Sequence, residues 1–179
     1  MGSRSSVASD ISMNSVLSAE LTRKYIAPDT IRHILTHTKT IAMVGLSPKK
    51  QRPSHFVASY LKYEGYRVIP VNPRADEILG EKAYPDLLSI PYEIDLVNVF
   101  RRPDDCPDIA KQAVAIGAKS LWLQLRVVSL AAAEIAEAGG LQIVMDRCVK
   151  IEHGRYNGSL HWVGMNTEII SARKTRRFI

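Results

Sequence analysis

The apolar residues change period several times along the chain, and these changes divide it into elements. From Leu21 the spacing is helical. Pro28 and Asp29 then open a short helix with Ile31, Ile34 and Leu35 on one face. Thr40 to Gly45 (TIAMVG) is a short apolar run ending in glycine, the pattern of a strand buried on both faces of a parallel sheet. Pro53 and Ser54 stand where a helix should begin, since proline in the first turn loses no hydrogen bond. Phe56, Val57, Tyr60 and Leu61 follow at helical spacing, and Gly65 ends the helix.

The alternation continues. Strands are expected at Tyr66–Val71, Ile94–Phe100, Ser120–Leu125 and Leu141–Met145. Between the last three lie a helix at Asp104–Ile116, with Ile109, Ala113 and Ile116 on one side and Gly117 as its stop, and an alanine-rich helix at Ser129–Ala138 closed by Gly139 and Gly140. Asn72 to Pro91 is rich in Pro, Asp and Gly and reads as loop, with one short helix at Asp86–Ser89. Strands alternating with helices of this length imply right-handed βαβ units. The fold class is therefore α/β: a Rossmann-like, doubly wound, mostly parallel sheet of five or slightly more strands with helices on both faces. The expected organisation is a flexible, Ser-rich tail over 1–20, a single domain over 21–172 and a basic tail over 173–179.

Composition narrows the picture in a few respects. A chain of 179 residues that is 46% hydrophobic and 23% charged suits one ordinary globular domain. No apolar run approaches the roughly 18 residues a bilayer span needs. Two cysteines, Cys106 and Cys148, make no disulfide framework and fit a reducing compartment, so cytoplasmic localisation is expected. Met1 to Ser6 matches a short myristoylation pattern at Gly2, although a Ser-rich tail explains the same residues. The net charge of +6 draws partly on Arg173, Lys174, Arg176 and Arg177 and suits a polyanionic partner. No aromatic residues interleave with these charges, so nucleic acid is not expected as the partner.

An open α/β sheet binds ligands outside the carboxyl ends of its strands, near the point where strand order reverses. That edge should carry Gly45 to Pro48, Asn72 to Arg74, Phe100 to Pro103, Gln124 to Arg126 and Asp146 to Cys148, a rim rich in Arg and Lys with few acids. A strand ending in Gly45 before a helix N-terminus makes an anion site, with Lys49, Lys50 and Arg52 beside it. The loop lacks the second and third glycines of G-x-G-x-x-G, and a P-loop is absent. An NAD-binding domain places an acid near the end of its second strand; here Asn72, Pro73 and Arg74 stand instead. An Arg there suits a nucleotide with an extra ribose phosphate, and NADP and coenzyme A both qualify.

Several motifs in order bear on that choice: VGLSP at 44–48, RPS at 52–54, YRVIPVNP at 66–73, ILG at 78–80, Asp95 through FRRP at 100–103, WLQL at 122–125 and MDRCVKIEH at 145–153. Over roughly residues 30–171 the chain resembles the stand-alone CoA-binding domain proteins, relatives of the CoA-binding domain in the succinyl-CoA synthetase α-subunit. The resemblance implies a small protein that binds CoA or acyl-CoA. Gly45, Leu46 and Ser47 would meet the diphosphate, and Arg52, Pro53 and Ser54 would line the start of the helix. Val71, Asn72, Pro73 and Arg74 would border the adenosine and its 3′-phosphate. Phe100, Arg101 and Arg102 would flank the pantetheine or adenine side, with Leu123, Gln124 and Leu125 as the far wall. The chain departs from the pattern at Arg126, where the family places Gly; a positive φ there would strain Arg.

No catalytic machinery is evident. Acyl-CoA ligases of the family add a second domain with a phosphorylated histidine and an ATP-grasp partner, for which this chain is too short. Asp146, Cys148 and His153 fit no standard zinc spacing, and a structural role over the last strand is expected of them. The competing functions are an NADP-dependent oxidoreductase reading a 2′-phosphate through Arg74 and a partner subunit of an acyl-CoA enzyme. A homodimer is also left open.

Overall fold

The computed structural model describes residues 15–156. Five strands form one all-parallel sheet: β1 (Thr40–Val44), β2 (Arg67–Val71), β5 (Leu96–Val99), β6 (Ser120–Leu123) and β7 (Gln142–Val144), in the order β2-β1-β5-β6-β7. The fold is a Rossmann-like α/β fold. Strand order reverses between β1 and β5, whose registers run from Ile41 opposite Leu96 to Val44 opposite Val99. The strands between the edges are almost wholly buried, which is why they read as largely apolar runs despite Asn98 and Ser120. Pro70, which cannot donate to a ladder, lies on the edge strand β2, where its carbonyl accepts from the Tyr84 N–H at 2.9 Å.

Alternate residues of each strand enter opposite layers. Ala42, Val44, Val97, Val99, Leu121 and Leu123 pack with α1 (Ala19–Tyr25), α4 (Cys106–Ala115) and α5 (Leu130–Ala138). Ile41, Met43, Leu96, Trp122 and Val144 pack with α2 (Pro28–His37), α3 (Pro53–Tyr63) and α6 (Val149–Tyr156). Small residues, Ala110 and Ala113 on α4 and Ala132, Ala133 and Ala136 on α5, let those two helices approach closely. The chain passes between layers at Ile26, which touches both cores, and α2 packs against the edge strand β7. Covering an edge in this way protects it from pairing with another chain.

Element boundaries differ from the sequence expectation in ways that have local causes. The stretch expected as tail over 1–20 already contains structure: Leu17 is buried, and the Ser18 hydroxyl accepts from the Leu21 N–H at 3.3 Å to cap α1. The rest of that tail, with Gly2, lies outside the described residues, as does the basic stretch 173–179. Phe56, expected on the buried face of α3, is 60% exposed, while Val57, Ala58 and Leu61 carry the packing. The expected helix at Asp86–Ser89 is a turn in which the Asp86 carboxylate accepts from the Ser89 N–H at 2.8 Å and its hydroxyl at 2.6 Å. The same loop holds a short hairpin, β3 (Glu77–Ile78) and β4 (Glu81–Lys82), turned at Leu79 and Gly80. The helix expected from Asp104 begins as a 3-10 turn at Pro103–Asp105 and becomes α-helical at Cys106.

Candidate functional site

The carboxyl ends of β1, β2 and β5 open into a cleft of about 490 Å³ at the reversal of strand order. Its lining includes Val44, Gly45, Val71, Asn72, Pro73 and Arg74 on one side and Arg101, Asp105, Asp108 and Ile109 on the other. A second hollow continues from it along Phe100, Arg101, Arg102 and Asp105.

Gly45 forms the floor. Its φ is +82°, and a Cβ there would lie 2.5 Å from the Phe100 carbonyl oxygen and 3.0 Å from Arg101 Cδ. Two strand ends can therefore converge only because residue 45 has no side chain. The Gly45 N–H donates to the Val71 carbonyl at 3.0 Å, and the Phe100 N–H donates to the Val44 carbonyl at 2.8 Å, so the three strand ends are tied together at one point.

Much of the polar chemistry expected to face a ligand is spent on shaping this loop. Asn72 Nδ2 donates to the Leu46 carbonyl at 2.8 Å, and its Oδ1 accepts from the Arg74 N–H at 2.9 Å. The Ser47 N–H donates to Ser54 Oγ at 3.1 Å, and Ser47 Oγ accepts from the Lys49 N–H at 3.2 Å. The Ser47 carbonyl lies 3.0 Å from His55 Nδ1, which must therefore carry the proton. Among the described residues the Leu46 N–H has no partner. Lys49, Lys50 and Arg52 are exposed beside the start of α3, where Pro53 occupies the first turn.

Of the residues expected to bind, Gly45, Val71, Asn72, Pro73, Arg74, Phe100, Arg101 and Arg102 gather on the two hollows. Leu46, Ser47, Arg52, Pro53 and Ser54 form the loop and helix start beside them, with the Leu46 side chain buried among α3 residues. Leu123 is fully buried in the core, and Gln124 is buried with its Nε2 donating to Asn98 Oδ1 at 2.7 Å, so neither stands on the cleft wall. Leu125 is 48% exposed at the end of β6. The rim was expected to hold few acids, yet Asp105 and Asp108 line the cleft, and Asp105 Oδ2 pairs with Arg101 Nε at 3.0 Å. Asp105 ends the 3-10 turn and Asp108 lies in the first turn of α4; apolar spacing along the chain does not say which of these polar residues faces the cleft.

Several polar side chains of the MDRCVKIEH segment are engaged within the fold. Asp146 has a φ of +55° and is buried. Its carboxylate accepts from the Arg126 N–H at 2.8 Å, the Ser15 hydroxyl at 2.8 Å and the Val16 N–H at 3.1 Å. The Trp122 indole N–H donates to the Arg147 carbonyl at 2.8 Å. Buried Glu152 pairs with Arg155 at 3.0 Å and Arg147 at 3.6 Å, and burial pushes its carboxyl up against the pull of those two guanidinium groups. The Tyr60 hydroxyl lies 2.9 Å from His153 Nδ1; burial lowers the His153 pKa and pushes Tyr60 up to about 12. Burial also raises Cys106, to about 11, and its thiol points at the Arg102 carbonyl. Among the described residues no three His, Cys, Asp or Glu side chains converge as ion ligands, and no helix is long and apolar enough to cross a membrane.

A cleft at the reversal of strand order, floored by Gly45 and flanked by the loop that leads into α3, lies where a Rossmann-like fold is expected to hold a ligand. The chain belongs to the CoA binding domain family, whose model matches residues 39–154. It is similar to the uncharacterized protein YneT of Bacillus subtilis, 41% identical over 123 residues that cover 69% of this chain and 91% of YneT. A hypothetical protein from Pyrococcus horikoshii has a similar solved structure, with a TM-score of 0.70 and 42% identity over 73% of this chain and 92% of that one. Acetate–CoA ligase [ADP-forming] II of Archaeoglobus fulgidus is 32% identical over 97 residues, 53% of this chain but 14% of the ligase.

Proposed function

We propose that this chain binds CoA, free or acylated, with the diphosphate over Gly45–Ser47 and the phosphorylated adenosine toward Arg74. The observation that carries the reading is the cleft itself. In a chain of the CoA binding domain family, its floor is a glycine in contact with a neighbouring strand end, and Asn72-Pro73-Arg74 replaces the acid that would hold an unphosphorylated ribose. The unpartnered Leu46 N–H and the cations Lys49, Lys50 and Arg52 suit phosphate at the same loop. Arginine is suited to the forked contacts a phosphate makes.

The role proposed for the cleft is ligand binding. The ligand would be handed to or from an enzyme that makes or uses acyl-CoA, consistent with the likeness to a segment of an acetate–CoA ligase. Two free cysteines fit a cytoplasmic setting.

Thermal unfolding of the purified chain with CoA, NADPH or neither tests this. At a hundred-fold excess over Kd, CoA should stabilise the fold by about 2.7 kcal/mol. A domain of this size shifts by about 2–4 °C per kcal/mol, so Tm should rise by roughly 5–10 °C. No shift with millimolar CoA, or a larger shift with NADPH, overturns the reading.

A further inference from the structure

Among the described residues, three that are not glycine have a positive φ: Leu79, Arg126 and Asp146. Leu79 shares the tight β3–β4 turn with Gly80, and Asp146 is fixed by the three hydrogen bonds its carboxylate accepts. Arg126, at φ +67°, has a different status. Its backbone N–H is bound to Asp146 Oδ1 at 2.8 Å, and the Val127 N–H donates back to the Gln124 carbonyl at 2.8 Å, so the left-handed turn is firmly made. The side chain, however, contributes nothing to it. It is exposed, and among the described residues its guanidinium has no acidic partner. Glycine would satisfy the backbone without strain, so a cation is kept at a cost in a sparsely populated conformation. An observed outlier of this kind points to a function for the side chain.

Strand order says which part of a ligand it would meet. Across the sheet edge the order is β2, β1, β5, β6. On the reading proposed above, on which this inference rests, the adenosine lies toward β2 and the diphosphate over β1. The pantetheine arm must then run past Phe100 and Arg102 at the end of β5 toward β6. Arg126 follows β6, two strand spacings or about 10 Å from β1. That is the side of the sheet edge toward which the arm and the acyl group at its end would run. Leu125, 48% exposed, and Leu130, 45% exposed, flank the turn and offer apolar surface to the carbons of an acyl chain.

We infer that Arg126 is a specificity-determining residue and that the preferred ligand is a thioester whose acyl group ends in a carboxylate, bound by a charge-assisted contact to the guanidinium. Titration calorimetry at low salt tests this with free CoA, butyryl-CoA and succinyl-CoA; the two thioesters have equal chain length and differ in the terminal carboxylate. The native chain should bind succinyl-CoA about ten-fold more tightly than butyryl-CoA. Arg126→Gly and Arg126→Gln should both erase that preference and change free CoA affinity less than about two-fold. Arg126→Gly should in addition raise Tm, since it relieves the turn, whereas Arg126→Gln keeps the same backbone demand. Equal binding of the two thioesters by the native chain overturns the inference. So does an equal loss of affinity for all three ligands in both variants, which would put Arg126 on a phosphate of CoA itself. Failure of all three to bind the native chain removes the proposed function and this inference with it.

Discussion

Gly45→Ala is the sharpest perturbation of the floor. The added methyl would lie 2.5 Å from the Phe100 carbonyl oxygen, 3.0 Å from Arg101 Cδ and 3.1 Å from the Phe100 carbonyl carbon. Two of those three atoms are backbone of the neighbouring strand end, so no side-chain rotation relieves the contact. Holding an alanine at φ +82° costs about 1–2 kcal/mol. Displacing packed backbone costs about 1–3 kcal/mol more. The sum is about 2–5 kcal/mol, or a fall in Tm of roughly 10 °C for a domain of this size. Gly117→Ala is the matched control: its φ is +69°, but nothing lies within 4 Å of the added carbon, so about 1 kcal/mol of backbone strain is all it should cost. Urea unfolding of both variants measures the difference, with unchanged m values as the check that the unfolded state is the same. Equal destabilisation by the two substitutions would refute the claim that residue 45 is glycine because β5 abuts it. The Gly45 variant should also lose CoA binding when assayed at a temperature where it remains folded.

Three further outcomes follow from the same contacts. Asp105→Asn releases Arg101 and removes one negative charge from the cleft; for an exposed pair worth up to about 1 kcal/mol, CoA affinity should rise about two- to five-fold by calorimetry. Burial works to raise the Asp95 carboxyl, but the Lys119 ammonium at 2.6 Å and the Lys39 and Thr40 N–H groups outweigh it and hold its pKa below 3.8. Its stabilisation is therefore full above that value and lost as pH falls through the lower folded one, so unfolding free energies of native chain and Asp95→Asn should converge as pH falls below about 4 and stay separated at pH 7. Burial lowers His153 below 6.5, so the fold favours the neutral ring; stability is full above pH 6.5 and declines as pH falls below it, and His153→Asn should lack that decline in urea titrations from pH 8 to pH 5.

The parallel sheet was legible because β1, β5 and β6 are buried on both faces and are mostly apolar, with Thr40, Asn98 and Ser120 as their polar residues. Their ends were less so: the chain at Ile94 and at Phe100 is still apolar, yet the ladder covers only Leu96 to Val99. The helix Val149–Tyr156 was missed because its buried positions include Glu152 and His153, which enter the interior through ion pairs and a tyrosine contact rather than through hydrophobicity. The same holds at the cleft. Gly45 and Asn72-Pro73-Arg74 stand out along the chain because each is an unusual residue at a strand end. That Asn72 and Ser54 are spent on the loop's own carbonyl and N–H groups, and that Asp105 and Asp108 close the opposite wall, depends on how α3 and α4 are set against the sheet. Pattern along the chain carries no information on that.

A crystal structure of the chain grown with CoA tests the central claim most directly. The account predicts one CoA at the carboxyl edge of the sheet, its diphosphate against Gly45–Ser47 and its 3′-phosphate beside Arg74. CoA ordered elsewhere on the protein, or a cleft left empty under conditions where calorimetry shows CoA bound, would contradict it.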